Sequence, residues 1–131
     1  MTVLDEIATY LQGAGVGTLA VDLFESRMPD DPDTCVAVLE YQGAPGSYIM
    51  EQSFAAWEKP RIQVRARAKD YATAQGLITT AYRQIDILKN ATLSGVRYLG
   101  GFPLQPPFVF ERDALERTVM CFNAELWRTL T

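Results

Sequence analysis

The stretch Arg61-Ile62-Gln63-Val64-Arg65-Ala66-Arg67 alternates polar and apolar side chains at every step, and Asp70 then leads into Tyr71 to Leu88. Strict alternation is the mark of a strand with one face on a core, because successive side chains of a strand point to opposite sides. Ile62, Val64 and Ala66 are the core set, and Arg61, Gln63, Arg65 and Arg67 face away from it. In the segment that follows, Ala74, Leu77, Ile78, Ala81, Ile85 and Leu88 recur at the three-four spacing of an amphipathic helix, with Asp70 as its cap. A half-covered strand followed at once by a helix with a single apolar stripe predicts a sheet packed on helices.

Working outward, Thr2 to Gln12 reads as another helix. Thr2 caps it, Asp5 and Glu6 occupy the first turn, Leu4, Ile7, Ala8 and Leu11 form its stripe, and Gly13 and Gly15 end it. Strand character is expected at Thr18 to Phe24, and at Cys35 to Tyr41, an almost unbroken apolar run. Between them, Met28-Pro29-Asp30-Asp31-Pro32-Asp33 is a turn, and it lacks the glycine and distal glutamate of an EF-hand loop. Gln42 to Lys59 has no clear periodicity and reads as a long connection carrying Tyr48, Ile49, Met50, Phe54 and Trp57. Further on, Thr92 to Leu99 reads as a strand with a bulge at Gly95, Gly100 to Pro107 as irregular, Val109 to Arg117 as a strand end with a charged turn, and Thr118 to Arg128 as the last strand. The expectation is one α+β domain over residues 1–131, in two layers. Its single, mainly antiparallel sheet has about five strands, with both helices on one face.

The 131 residues suit a single core, and 48% hydrophobic with 21% charged residues is ordinary for a globular chain. A formal charge of −4 argues against a dedicated nucleic-acid binder. The chain contains no histidine, which removes the usual general base and the Ser-His and Cys-His nucleophile systems. Carboxylates available to work as a pair stand at Asp30, Asp31 and Asp33 and at Glu111, Asp113 and Glu116, the second group beside Arg112 and Arg117. The second group reads as an ion-paired turn. Gly13-Ala14-Gly15-Val16-Gly17 follows a helix and precedes a strand, the reverse of what a phosphate-cradling loop requires. Cys35 and Cys121 sit in apolar runs and read as buried free thiols; no cofactor, metal site or catalytic residue is expected. The chain shows no basic-then-apolar leader and no apolar run near the roughly 18 residues of a membrane span. Synthesis and assembly in a cytoplasm are therefore expected, with no membrane partner.

Two readings of the apolar connection stand. Exposed, Tyr48, Ile49, Met50, Phe54 and Trp57 would be an interaction surface; folded back, they would be a lid on the chain's own core. The arginines at 61, 65 and 67 are likewise either a partner surface or a solvated sheet face.

Lys59-Pro60 with the alternating strand, and the helix bearing Tyr71, Ala74 and Ile85, resemble the tail-terminator or minor capsid proteins of long-tailed bacteriophages. Gln105-Pro106-Pro107-Phe108-Val109-Phe110, Asp113, Arg117 and the final strand bearing Asn123 add to the likeness, which covers most of the chain. In this turn the family often carries glycines before the aspartate and before the arginine; here Glu111 and Arg112 precede Asp113, and Glu116 precedes Arg117. The resemblance implies a homo-oligomeric ring, commonly a hexamer, at the head–tail junction of a virion. Such a ring ends polymerisation of the tail tube, meets the tail tube protein and the head connector or head-closure protein, and lets DNA pass without specific binding. Its interfaces are expected at Tyr48, Ile49, Met50, Phe54 and Trp57, at Arg61, Arg65 and Arg67, and at Glu111, Arg112, Asp113 and Arg117. The alternative is a small ligand-binding regulatory module that dimerises through its sheet.

Overall fold

The computed structural model describes residues 2–48 and 55–129. The elements run α1 (Val3–Gly13), β1 (Leu23–Glu25), β2 (Cys35–Tyr48), β3 (Ala55–Ala68), α2 (Tyr71–Asp86), β4 (Lys89–Leu93), β5 (Val96–Pro103), β6 (Phe108–Arg112) and β7 (Thr118–Thr129). Both helices start where the caps predict. Thr2 Oγ1 accepts from the Asp5 amide at 3.2 Å while the Thr2 amide donates to Asp5 Oδ2 at 2.9 Å, a reciprocal capping box. Asp70 Oδ2 accepts from the Thr73 amide at 3.0 Å.

The class is α+β as expected, but the sheet is larger and differently connected. Among the described residues seven strands form it, in the order β1-β2-β3-β7-β5-β4, with β6 also paired to β7. It is mixed, because β1 runs parallel to β2 while the other pairings are antiparallel. The central β7 carries β3 along one side. Along the other it carries β6 at Thr118–Cys121 and β5 at Ala124–Arg128.

Four local readings are corrected. The connection from Gln42 to Lys59 is largely strand: β2 and β3 keep pairing at Ala44 with Lys59, Ser47 with Trp57 and Tyr48 with Ala55, through successive register shifts. Gly43, Pro45 and Gly46 break the side-chain alternation without ending the ladder. Gly95 is the second residue of a two-residue hairpin rather than a bulge. Ser94 and Gly95 both have positive φ, 51° and 84°, between the paired Leu93 and Val96, the geometry that suits the twist of the flanking strands. Gly100 to Pro103 is strand, and Gly101 is needed there because a Cβ would come within 2.6 Å of the Ile85 carbonyl oxygen. The first strand is shorter than Thr18–Phe24, since the Thr18 amide and carbonyl are engaged locally with Asp22 and Leu23.

One core joins both helices to alternate residues of the strands. Leu4, Ile7 and Leu11 of α1 and Ala74, Ile78, Ala81 and Ile85 of α2 belong to the cluster that holds Val36, Val38, Ile62, Val64, Met120, Phe122 and Leu126. Phe122 is fully buried and meets the edge of Tyr82 at 5.3 Å. The strand face bearing these residues is called the core face below, and its opposite the outer face.

A charged group also lies in this core. Glu6 is 1% exposed. It accepts from Tyr98 Oη at 2.6 Å and from Arg128 Nε and Nη2, both at 2.9 Å, and Arg128 also donates to Glu58. Burial alone would raise the Glu6 carboxyl, but the bonds from Arg128 and Tyr98 outweigh it and hold the group below its ordinary value. The network ties α1 to β3, β5 and β7.

Candidate functional site

The twelve residues expected at an interface separate into distinct places. Ile49, Met50 and Phe54 lie outside the described residues, and Tyr48 ends β2, its backbone paired with Ala55. Trp57, Arg61, Arg65 and Arg67 all stand on the outer face of β3, because their partners Thr129, Glu125, Cys121 and Val119 are the outward residues of β7. At one end of this face Trp57 stacks on Trp127 with centroids 6.4 Å apart, and Phe102 tilts against Trp127 at 5.2 Å. Lys59 lies over the Trp127 ring and Lys89 over Phe102, at 4.7 and 4.4 Å. Among the described residues, the buried Trp57 Nε1 has no hydrogen-bond partner. Arg61 reaches Glu125 at 3.6 Å.

Arg67 and Arg117 are covered by the Pro29–Asp33 turn. Arg67 is buried and donates through Nη2 to the carbonyls of Pro29 and Pro32, both at 2.6 Å, and through Nε to that of Asp33 at 3.2 Å. Arg117, also buried, donates from Nη1 to the Asp30 carbonyl at 2.7 Å and to Asp33 Oδ1 at 3.1 Å, and from Nε to Asp113 Oδ2 at 2.8 Å. Two arginines thus clamp the Pro29–Asp33 turn against the sheet. Their forked donors fit a turn whose Pro29, Asp30, Pro32 and Asp33 carbonyls face the two guanidinium groups. Hydrogen bonding to the Arg117 amide, and then to its guanidinium, holds Asp113 below its ordinary value. For Asp33 the bond from Lys69 is the larger cause and the Arg117 bond adds to it. These carboxylates are partners of arginine and hold the turn in place.

In the same turn Glu116 has φ 62°, a left-handed conformation that suits glycine. The position before Arg117 therefore needs the backbone a glycine would supply, and glutamate adopts it here. Glu111 and Arg112 are exposed, with Arg112 at 3.7 Å from Glu116.

The surface that stands out was not among those twelve positions, apart from its last two residues. In β6 every residue is exposed; Phe108, Val109 and Phe110 are 40, 51 and 43% accessible. The strand pairs with β7 alone among the described residues, with a register shift at Phe110, so its other edge is open. Arg65 lies over the Phe110 ring at 4.4 Å, which places that ring on the outer face. Leu104 and Leu115, at 45 and 65%, flank the strand in sequence. Three consecutive large apolar residues between Pro107 and Glu111 were the available signal, but their exposure depends on β6 being an edge.

Cys35 and Cys121 are free and buried, and burial raises both thiols. Among the described residues, no group of three or more His, Cys, Asp or Glu side chains could hold a metal ion, and no helix is long and apolar enough to cross a membrane.

The sequence profile of the family described as bacteriophage tail terminator protein matches residues 10–129. The chain belongs to that family. The match spans α1 from Tyr10 to the end of β7, so it includes the clamped turn, the outer face and the β6 edge of this tail terminator family member. Membership gives the chain a structural, tail-associated role. Among solved structures, a chain of one described as the virion of a native gene transfer agent (GTA) particle is similar in fold. Its TM-score is 0.68 at 15% identity, over 97% of this chain and 94% of that one. No curated protein matches the sequence significantly.

Proposed function

We propose that the protein is a non-enzymatic virion component that forms a ring, a hexamer by family likeness, on the end of the tail tube. There it ends tube polymerisation and offers the surface onto which the head connector or head-closure protein docks, and DNA crosses the ring without specific contacts. Both helices cover one face of the sheet in this reading, which leaves the outer face and the sheet edges for other chains.

The observation that carries the proposal is the β6 edge, in a chain whose family is already given. An open edge strand bearing Phe108, Val109 and Phe110 is an aggregation hazard in a monomer and is resolved by a regular neighbour. The Trp57–Trp127–Phe102 group with Lys59 and Arg61, at the far end of the outer face, is a further apolar region, available to the tail tube or the head-side partner. A ring needs two different contact regions, since each copy meets its two neighbours through different surfaces.

The test is the mass of the purified chain in solution, alone and with tail tube protein. A closed oligomer of defined size that co-sediments with tubes supports the reading. A stable dimer with no affinity for tubes overturns it and points to the dimerising regulatory module.

A further inference from the structure

The two ends of one cross-strand row carry complementary surfaces. Reading the registers across, Phe24 pairs with Ala37, Ala37 with Arg65, Arg65 with Cys121, and Cys121 with Phe108. β1 and β6 are therefore opposite edges of the same five-strand row, separated by roughly 19 Å at the usual strand spacing. They cannot touch within one copy.

Beside β1 lies a cleft of about 390 Å³ between that strand and α1. Leu19, Ala20 and Phe24 supply its accessible apolar lining with the buried Leu23 behind them, and Asp5 and Glu25 supply its charge. The two carboxyl groups interact with each other, and Glu25 is raised by burial first and by Asp5 second. Among the described residues, no Lys or Arg side chain pairs with either of them. The cleft thus combines apolar walls with two carboxyl groups, of which Asp5 is also held in the α1 capping box. Val21, 61% exposed, lies beside Ala20 of this wall.

The β6 edge supplies the counterpart face by face. Val109 pairs with Met120 and Arg112 with Thr118, which puts both on the core face, the face to which Leu23 and Glu25 belong through Val36 and Val38. Phe108 shares the outer face with Phe24 through the row traced above. On the core face one edge offers Val109 and the cation Arg112, with exposed Glu116 3.7 Å from Arg112 and Glu111 on the outer face, and the other edge offers an apolar cleft with two acids. A cation-bearing apolar strand at one edge and an acid-bearing apolar cleft at the other allow a repeated head-to-tail contact.

We infer that β6 of one copy docks into the α1–β1 cleft of the next copy, with Arg112 against Asp5 and Glu25 and with Val109 on the apolar wall. This deepens the ring reading and rests on it. The contact is heterologous, so each copy uses its β6 edge toward one neighbour and its cleft toward the other.

The experiment compares self-association of the full chain with that of Arg112→Glu and Glu25→Arg, by analytical ultracentrifugation, with circular dichroism melts to show that each remains folded. Placing like charges at the contact weakens assembly by about a hundredfold or more. Each variant alone is therefore expected to stay monomeric where the wild type assembles. An equimolar mixture is expected to assemble again. The acid placed in β6 of one variant then meets the base placed in the cleft of the other, and the alternate contacts keep the native pair of Arg112 and Glu25. Val109→Asp, an exposed change that leaves both charges in place, is expected to lose assembly and not to be rescued by either partner. Variants that assemble like wild type, or folded variants whose mixture stays monomeric, overturn this interface while leaving the ring intact. A wild-type chain that is monomeric with and without tail tube protein overturns the ring and this contact together.

Discussion

Replacing Arg128 with methionine should expose how strongly the buried network depends on charge pairing. Methionine keeps most of the apolar stem, so the change chiefly removes the guanidinium. Glu6 would keep only the bond from Tyr98 and lose both 2.9 Å bonds from Arg128, while remaining 1% exposed. Removing one partner of a buried ion pair costs about 3–5 kcal/mol, because the other charge is left uncompensated. For a chain of this length that corresponds to a fall in Tm of about 10–18 °C. The loss must also depend on pH. Without Arg128, burial raises the Glu6 carboxyl above its ordinary value, so the deficit is full near neutrality and shrinks as the group becomes protonated on acidification. Adding Glu6→Gln to Arg128→Met should recover a large part of the loss at pH 7. Thermal melts followed by circular dichroism at pH 7 and pH 5 would measure all of this. A loss below about 1 kcal/mol, or a double variant no more stable than the single, would refute the reasoning.

Other outcomes follow from separate features. In the wild type the Glu6 contribution should be fully present above its ordinary value of 4.5 and lost as pH falls further, since its folded value is depressed; acid titration of stability should be flatter in Glu6→Gln than in wild type. Arg117→Ala should cost about 2–4 kcal/mol and speed hydrogen exchange in the Pro29–Asp33 turn, because several charge-assisted bonds end on that side chain. Gly101→Ala should cost about 1–3 kcal/mol through its clash with the Ile85 carbonyl, whereas Gly76→Ala, with open space around the added methyl, should stabilise by a few tenths of a kcal/mol or more. Glu116→Gly should leave stability unchanged or raise it by up to about 1 kcal/mol, and Glu116→Val should lower it, as chemical denaturation would show.

Local signals carried much of the fold. Thr2 and Asp70 marked helix starts because capping is a short-range interaction, and Arg61 to Arg67 marked a strand because alternation is too. The extension of β2 and β3 through Gly43, Pro45 and Gly46 was hidden, since those strands are held by pairing with each other across shifted registers rather than by residue preference. Gly100 and Gly101 read as a breaker until the approach of Ile85 gave Gly101 a steric reason to lie in a strand. Arg67 and Arg117 followed the same pattern. Alternation correctly put Arg67 on the outer face, but the turn that folds over it is 34 to 38 residues away in sequence, beyond any local signal. The exposure of Phe108 to Phe110 depends on which strand ends the row, and the α1–β1 cleft depends on the mixed pairing of β1; neither can be read from spacing.

The central claim, a ring that ends the tail tube, is tested most directly by electron microscopy of tail tubes polymerised with and without this chain. Rings of uniform diameter seated at one end of each tube are expected, with tube growth halted once they are in place. Tubes that keep growing in its presence, with no density of this chain at their ends, would contradict it.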